Sequence, residues 1–368
     1  MDFSFTEEQQ LLEDTVRRFV ARDYAFGKRR AIRDSAGGWS REAWQALADL
    51  GLLALNVPEE HGGLGAGPVD TMLALNALGP GLLLEPYLAS AVVATALLRE
   101  CPQQAGLLAQ MAAGARIVVL AHEETETRGD PYRVATLCRP DGADFLLDGR
   151  KCVVAHAAAA DFLIVSAHLE DDLALFLVPR DAAGLSLDSY PTLDGTRAAE
   201  AHLAGVRLPA GALLPAGADV LERALGVGLA ALCAEAVGIM KATIDATVDY
   251  LRTRRQFGQP IGRFQALQHR AADMLLHYEQ AKSMSYLAAM RCTSKDAAER
   301  RRALSAAKVV TGRAVRFIGQ QAVQLHGGMG MTDELVVSHW FKRLTAIEIE
   351  FGDSDTHLQQ FIEASAFN

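Results

Sequence analysis

From Thr6 to about Gly114 the apolar positions recur at helical spacing. Leu11, Leu12, Val16, Phe19 and Val20 fall three and four residues apart, Thr6 stands where an N-cap is needed, and Glu7 and Glu8 fill the first turn. The chain therefore opens with an amphipathic helix. A second helix is predicted around Arg41–Leu52, running into Val57-Pro58-Glu59-Glu60-His61-Gly62-Gly63-Leu64-Gly65. There a proline and clustered glycines break regular structure and predict a loop. Near Ala115 the pattern changes. Ile117-Val118-Val119-Leu120, Phe145-Leu146-Leu147, Cys152-Val153-Val154, Phe162-Leu163-Ile164-Val165 and Leu173 to Val178 are short apolar runs separated by Gly, Asp and Pro, which predicts strands. From about Ala218 helical periodicity returns and lasts to the end, interrupted by the Thr253–Gln265 turn region and the Gly327–Gly330 loop. The order is helical, β, helical, an α+β fold without an internal repeat.

Composition narrows the picture. The 368 residues suffice for two or three structural units around a sizeable core, and 50% hydrophobic with 22% charged residues is an ordinary globular balance. A net charge of −9 argues against a nucleic-acid or anionic-membrane surface, since phosphate binding is carried by clustered Lys and Arg. The one basic cluster, Arg300-Arg301-Arg302, follows acids interleaved with bases from Lys295 to Glu299 and predicts a solvated helix end. Cys101, Cys138, Cys152, Cys233 and Cys292 form no CxxC pair and read as unpaired thiols of a reducing compartment. The acidic N-terminus lacks a signal-peptide core, and no stretch of about 18 strongly apolar residues suggests a membrane span, so a cytoplasmic protein is expected.

Two stretches carry candidate chemistry. Arg254-Arg255-Gln256-Phe257-Gly258-Gln259-Pro260-Ile261, with Gln265 just beyond, combines a guanidinium able to clamp a pyrophosphate, an aromatic face beside a turn, and an amide that both donates and accepts. The same arginines, with Arg252, also suit a solvated end to the helix through Tyr250. In Gln324-Leu325-His326-Gly327-Gly328-Met329-Gly330-Met331-Thr332 the glycines allow backbone amides to approach a ligand, and they equally suit a turn between helices. His326 has no cysteine or histidine at metal-ligand spacing, so no metal site is expected. The glycines of the Gly62–Gly65 loop lack a preceding β-run and the GxGxxG spacing of a dinucleotide fingerprint.

Both stretches, together with Ile349-Glu350-Phe351-Gly352-Asp353, resemble the flavin-binding signatures of acyl-CoA dehydrogenases. The resemblance covers nearly the whole chain. Phe5-Thr6-Glu7-Glu8-Gln9, the Val57–Gly65 loop, the β segment ending at Val206-Arg207-Leu208-Pro209, and the C-terminal signatures stand in the family's order. It implies an N-terminal helical domain (1–114), a middle β domain (115–217) and a C-terminal helical bundle (218–368). It also implies FAD as cofactor, an acyl-CoA substrate, and electron-transfer flavoprotein or a similar acceptor. Arg254, Phe257, Gln265, Gln324, Gly327, Gly328 and Gly330 match its cofactor-binding positions, which reach a flavin bound largely by the neighbouring subunit.

Departures from the pattern matter as much. The residue before the glycine matching Gly352 is commonly the family's glutamate base, and here it is Phe351. The flavin-ring loop usually reads Thr-Glu-Pro with Gly and Ser, and here reads Ala121-His122-Glu123-Glu124-Thr125 and on to Pro131. A second ring contact, usually Trp-Ile-Thr or Trp-Ile-Ser, is matched by Val153-Val154-Ala155. Some relatives carry the base earlier, at the position of Gly228. Glu235, two helical turns on within Leu229–Gly238, is the best remaining carboxylate, as a base or as a structural partner for an Arg. Glu350 requires a one-residue slip, while Asp353 and Asp355 suit the cap of the closing helix. The Phe351 N–H remains able to polarise a thioester carbonyl. The combination resembles the smaller, partly degenerate subunits of heterotetrameric acyl-CoA dehydrogenases of bacterial steroid degradation, paired α2β2 with a larger homologous catalytic subunit. The alternatives are a self-sufficient dehydrogenase using Glu235, a flavin oxidase or monooxygenase on the same scaffold, and a structural chain without cofactor.

Overall fold

The computed structural model describes residues 5–125 and 133–365. In chain order these residues first form six α-helices, α1 (Glu7–Arg22), α2 (Phe26–Arg33), α3 (Arg41–Asp49), α4 (Pro68–Leu78), α5 (Thr95–Leu98) and α6 (Ala105–Ala112). Eight strands follow: β1 (Val118–Ala121), β2 (Leu137–Asp141), β3 (Asp144–Ala155), β4 (Phe162–Leu169), β5 (Asp172–Pro179), β6 (Leu185–Pro191), β7 (Arg197–Pro209) and β8 (Leu213–Leu214). The long α7 (Ala218–Thr253) leads into a small ribbon of β9 (Arg255–Gln256) and β10 (Gln259–Pro260). Then come α8 (Gln265–Arg291), α9 (Ala297–His326), α10 (Val336–Ile349) and α11 (Ser354–Ser365). The helical, β, helical order is the one the apolar pattern predicts. The chain packs as two compact units, one of Met1–Arg29, Pro68–Leu82 and Leu229–Asn368, the other of Arg30–Gly67 and Leu83–Gly228.

The second unit is built on a sheet in the order β6-β7-β3-β2-β4-β5-β8, with β1 parallel against β4. Alternation along β4 and β5 turns Ile164 and Leu175 into a core shared with Leu97, Leu98, Leu108 and Val118, all buried. The β3–β7 ladder slips between Lys151 and Val154, a bulge that holds Val153 at φ 50°. Positive φ is rare for a β-branched residue, whose side chain crowds the backbone there.

In the first unit Thr6 caps α1 as the sequence indicates. Its hydroxyl accepts from the Gln9 N–H, and the Gln9 side chain accepts from the Thr6 N–H, both at 3.2 Å. Asp353 caps α11, its carboxylate accepting from the Thr356 N–H at 2.8 Å. Two expectations need correction. α7 does contain an 18-residue window apolar enough to cross a membrane, with mean hydropathy 1.6, yet 78% of that window is buried inside the protein. It is a core helix, and composition alone does not separate the two. The arginine cluster does begin a helix, capped by Asp296, but Arg300 is buried and donates to the Ser294 carbonyl at 2.8 Å. The five cysteines are free thiols, four of them buried.

Candidate functional site

Strands β9 and β10 pair with a two-residue connection, Phe257 at φ 51° and Gly258 at φ 77°. Two successive left-handed residues are what the tight primed hairpin turn requires. The turn lifts Phe257 clear of the protein. It is 90% exposed, and its ring contact is an edge against Phe264 at 6.0 Å. Arg254 and Gln265, at the end of α7 and the start of α8, are also exposed. Tyr250 on the last turns of α7 stacks on His326 at the end of α9, with ring centres 4.5 Å apart. That contact brings the arginine block and the glycine loop together. His326 is buried and donates from Nδ1 to the Ala322 carbonyl at 2.9 Å, and burial pushes its imidazole below the usual range, so it stays neutral.

After His326, Gly327 takes φ 61° and ψ −144°, a conformation open to glycine alone. A Cβ on Gly327 or Gly328 would meet no atom within 4 Å, and both are exposed. The Gly327 N–H itself is engaged by the Gln324 carbonyl as the helix cap, so what a ligand can approach is the uncrowded backbone surface of the two glycines. Gly330 is the opposite case, packed so tightly that a Cβ would lie 2.9 Å from the Val323 carbonyl. Gln324 is exposed on the last turn of α9.

The turn after α10 carries Phe351 at φ 58° and Gly352 at φ 95°. The Lys308 ammonium, with its side chain fully buried, reaches the carbonyls of Ile347 (2.8 Å), Glu348 (3.1 Å), Glu350 (2.6 Å) and Gly352 (2.7 Å). His357 Nε2 donates to the Phe351 carbonyl at 2.8 Å. Burial pushes both side chains below their ordinary pKa, and the carbonyl cage compensates for the lost hydration of the lysine. Phe351 has no group able to take a proton.

Glu235 lies within the same unit but not alone. Arg343 donates to both of its oxygens, Nε to Oε1 and Nη2 to Oε2, each at 2.7 Å, and from Nη1 to Glu350 Oε2 at 3.0 Å. Of the two roles the sequence left open for Glu235, the geometry supplies the arginine partner. A carboxylate with both oxygens in a guanidinium fork has its lone pairs engaged by a permanent cation.

In the second unit Glu124 and Lys151 form a buried pair at 2.5 Å, joined by Ser166 at 3.0 Å from the ammonium and Thr136 at 2.5 Å from the carboxylate. Burial alone would push the Glu124 carboxyl up, but Lys151 and Thr136 hold it below the usual range. Burial pulls Lys151 down to about 8. This pair anchors β3 one residue before Cys152 and the bulge, so Val153 stands exposed on a rigid base. The remainder of the matched flavin-ring loop, 126–131, lies outside the described residues.

The residues fit FAD unevenly. The exposed, uncrowded backbone of Gly327 and Gly328 with exposed Arg254 and Gln265 suits phosphates and hydroxyls. At the ring-contact positions stand the aliphatic Val153 and the carboxylate of Glu123, which supply neither an aromatic plane nor a neutral hydroxyl. Sequence reasoning missed Lys308, Arg343 and Lys151. For Lys308 the signal was a lone cation inside an apolar run, Ala306-Ala307-Lys308-Val309-Val310, which only a set of convergent acceptors can stabilise, whereas Arg343 and Lys151 stand beside Lys342 and Arg150 and carry no such mark.

A helical, β, helical chain with this hairpin, glycine loop and α10 turn is the architecture of a flavoprotein dehydrogenase. Residues 6–115, 120–206 and 216–366 match the acyl-CoA dehydrogenase N-terminal, middle and C-terminal domains. The chain belongs to the acyl-CoA dehydrogenase family, FAD-dependent oxidoreductases. It is 30% identical to acyl-CoA dehydrogenase FadE12 of Mycobacterium tuberculosis over 92% of this chain and 91% of that protein. It is 29% identical to the probable acyl-CoA dehydrogenase YngJ of Bacillus subtilis over 99% of both. Among solved structures, the ChsE4-ChsE5 complex from Mycobacterium tuberculosis superposes with TM-score 0.93 at 26% identity over 100% of both chains. A variant of the Tcur3481-Tcur3483 steroid ACAD does so with TM-score 0.90 at 29% identity over 98% of both.

Proposed function

We propose that this chain is a subunit of an FAD-dependent acyl-CoA dehydrogenase that introduces an α,β double bond into a CoA thioester. In this reading it completes the flavin site of a larger homologous partner in an α2β2 heterotetramer. The partner supplies the base and most of the flavin contacts. The observation that carries the reading is a contrast within one unit. Phe351 stands at the usual base position and Glu235 is held in the Arg343 fork, while Phe257 is 90% exposed at the tip of a formed hairpin.

The division of labour follows from what the reaction needs, which is a base for the α-proton, donors for the thioester carbonyl and an acceptor for the β-hydride. FAD, when bound, accepts that hydride and passes its electrons to electron-transfer flavoprotein or a similar carrier. On this chain Arg254 and Gln265 bind its phosphates and hydroxyls, Phe257 covers it, and Gln324 with the exposed backbone of Gly327 and Gly328 lines it, on a loop whose close packing depends on Gly330. The family's domains are taken as 1–114, 115–217 and 218–368, and the location as cytoplasmic. The names of two similar structures, a steroid ACAD and a two-component complex, support heteromeric assembly and a steroid-derived acyl group.

The test is dye-linked dehydrogenation of CoA thioesters by the chain alone and co-expressed with a larger homologue. Turnover is expected only in the pair, and full turnover by the lone chain would overturn the reading.

A further inference from the structure

The turn after α10 directs several of its carbonyls onto one cation, Lys308. A buried lysine has three protons and no water, so every oxygen that converges on it fixes a peptide plane. Four carbonyls do so here, from Ile347, Glu348, Glu350 and Gly352, and a fifth, from Phe351, is taken by His357.

The consequence is directional. All described peptide bonds are trans, so within one planar unit the C=O and the following N–H point opposite ways. The Glu350 carbonyl is held inward at 2.6 Å from Lys308 Nζ, and this turns the Phe351 N–H away from the lysine. The neighbouring amides are used. Glu350 donates to the Ala346 carbonyl at 3.1 Å and Gly352 to the Ile349 carbonyl at 3.3 Å. The Phe351 N–H donates to no acceptor among the described residues. Left-handed backbone at a phenylalanine is held against its own preference, and a cage of five anchored carbonyls supplies the restraint. The cage sits close because α9 carries Gly312 one turn beyond Lys308, where a Cβ would lie 2.3 Å from Ser354 Oγ at the start of α11.

We propose that Lys308 is a positioning residue that aims the Phe351 N–H as a hydrogen-bond donor to the carbonyl oxygen of a CoA thioester, a function kept on this chain although the side chain at that position cannot act as a base. The inference rests on the acyl-CoA reading above. No covalent step is involved. Lys308 touches neither substrate nor cofactor and acts only through the peptide plane it fixes. The Phe351 side chain is free to vary, since the donor belongs to the backbone.

The experiment uses the chain in its assembled form, deuterated and labelled with 15N-phenylalanine, the Phe351 amide being assigned with Phe351→Leu. Butyryl-CoA and its thioether counterpart S-butyl-CoA, which lacks the carbonyl, are compared as probes. Butyryl-CoA is expected to move the Phe351 amide proton downfield and slow its exchange about tenfold, with no such effect from the thioether. In Lys308→Met the thioester-specific shift is lost and the two probes bind equally, while Lys308→Arg, which keeps the charge, restores part of it. If Lys308→Met does not fold, Lys308→Gln carries the same comparison with fewer donors. A wild-type amide that ignores the thioester, or a Lys308→Met amide that answers it as wild type does, overturns the proposal. The readout needs neither turnover nor flavin. Absence of flavin from every assembly, which defeats the subunit reading, therefore leaves this result interpretable.

Discussion

Of the three Phe-Gly dipeptides in the chain, two share nearly the same left-handed backbone. Phe257-Gly258 lies at φ 51° and 77°, and Phe351-Gly352 at φ 58° and 95°. At the first, the conformation follows from the two-residue turn between β9 and β10. The side chain is thrust into solvent. At the second, no hairpin exists, and the same conformation is imposed by Lys308 and His357 on five carbonyls. In one place the backbone serves to present a ring. In the other the ring is incidental and the backbone is what the protein has fixed.

The comparison breaks most visibly if the cage is removed. Lys308→Met leaves several buried carbonyls without a donor and should cost about 3 kcal/mol or more of stability, read by urea unfolding. Next comes the exposed ring. Phe257→Ala should leave the stability of the separate chain unchanged, since the ring is already in water. It should weaken assembly by roughly 2 kcal/mol, read by sedimentation with the partner. Glu235→Gln should lower stability by about 1–3 kcal/mol through the Arg343 fork while leaving turnover of the assembled enzyme near wild type, measured on the same preparation. The smallest effect belongs to Gly258→Ala. A Cβ there meets nothing, so its cost is the left-handed backbone alone, about 1 kcal/mol of hairpin stability.

Acid sharpens the contrast between the two turns. His357 holds the caged one and has a folded pKa below its unfolded value near 6.5. The unfolded chain therefore binds the proton first. Stability contributed by this site is fully present above about pH 6.5 and declines as pH falls from there through the folded pKa. The hairpin contains no titrating histidine. A pH series of unfolding on wild type and His357→Gln should show a shallower acid slope in the variant, with His326, also held low, supplying part of what remains.

Much of this was legible in the sequence. The helical, strand and helical periods locate the elements because each buries one face, and the Thr6 and Asp353 caps follow from residue type and spacing. That the side chain of Phe351 holds no proton-accepting group was equally plain. What was hidden depends on partners distant in the chain. Glu235 read as a lone carboxylate until Arg343, 108 residues away, occupied both its oxygens. Lys308 read as one more cation until the α10 turn folded its carbonyls onto it. Arg300 read as solvated until Ser294 and the surrounding helices enclosed it. α7 carried a composition that suits a membrane and a bundle core alike, and only packing decides.

The central claim is that this chain offers half of a flavin site and waits for the other half. It is tested most directly by measuring flavin content and assembly mass for the chain purified alone and co-expressed with a larger homologue. The account predicts a flavin-poor protein alone and a flavin-loaded heterotetramer on co-expression. A homomer with full flavin occupancy that turns over a CoA thioester would contradict it.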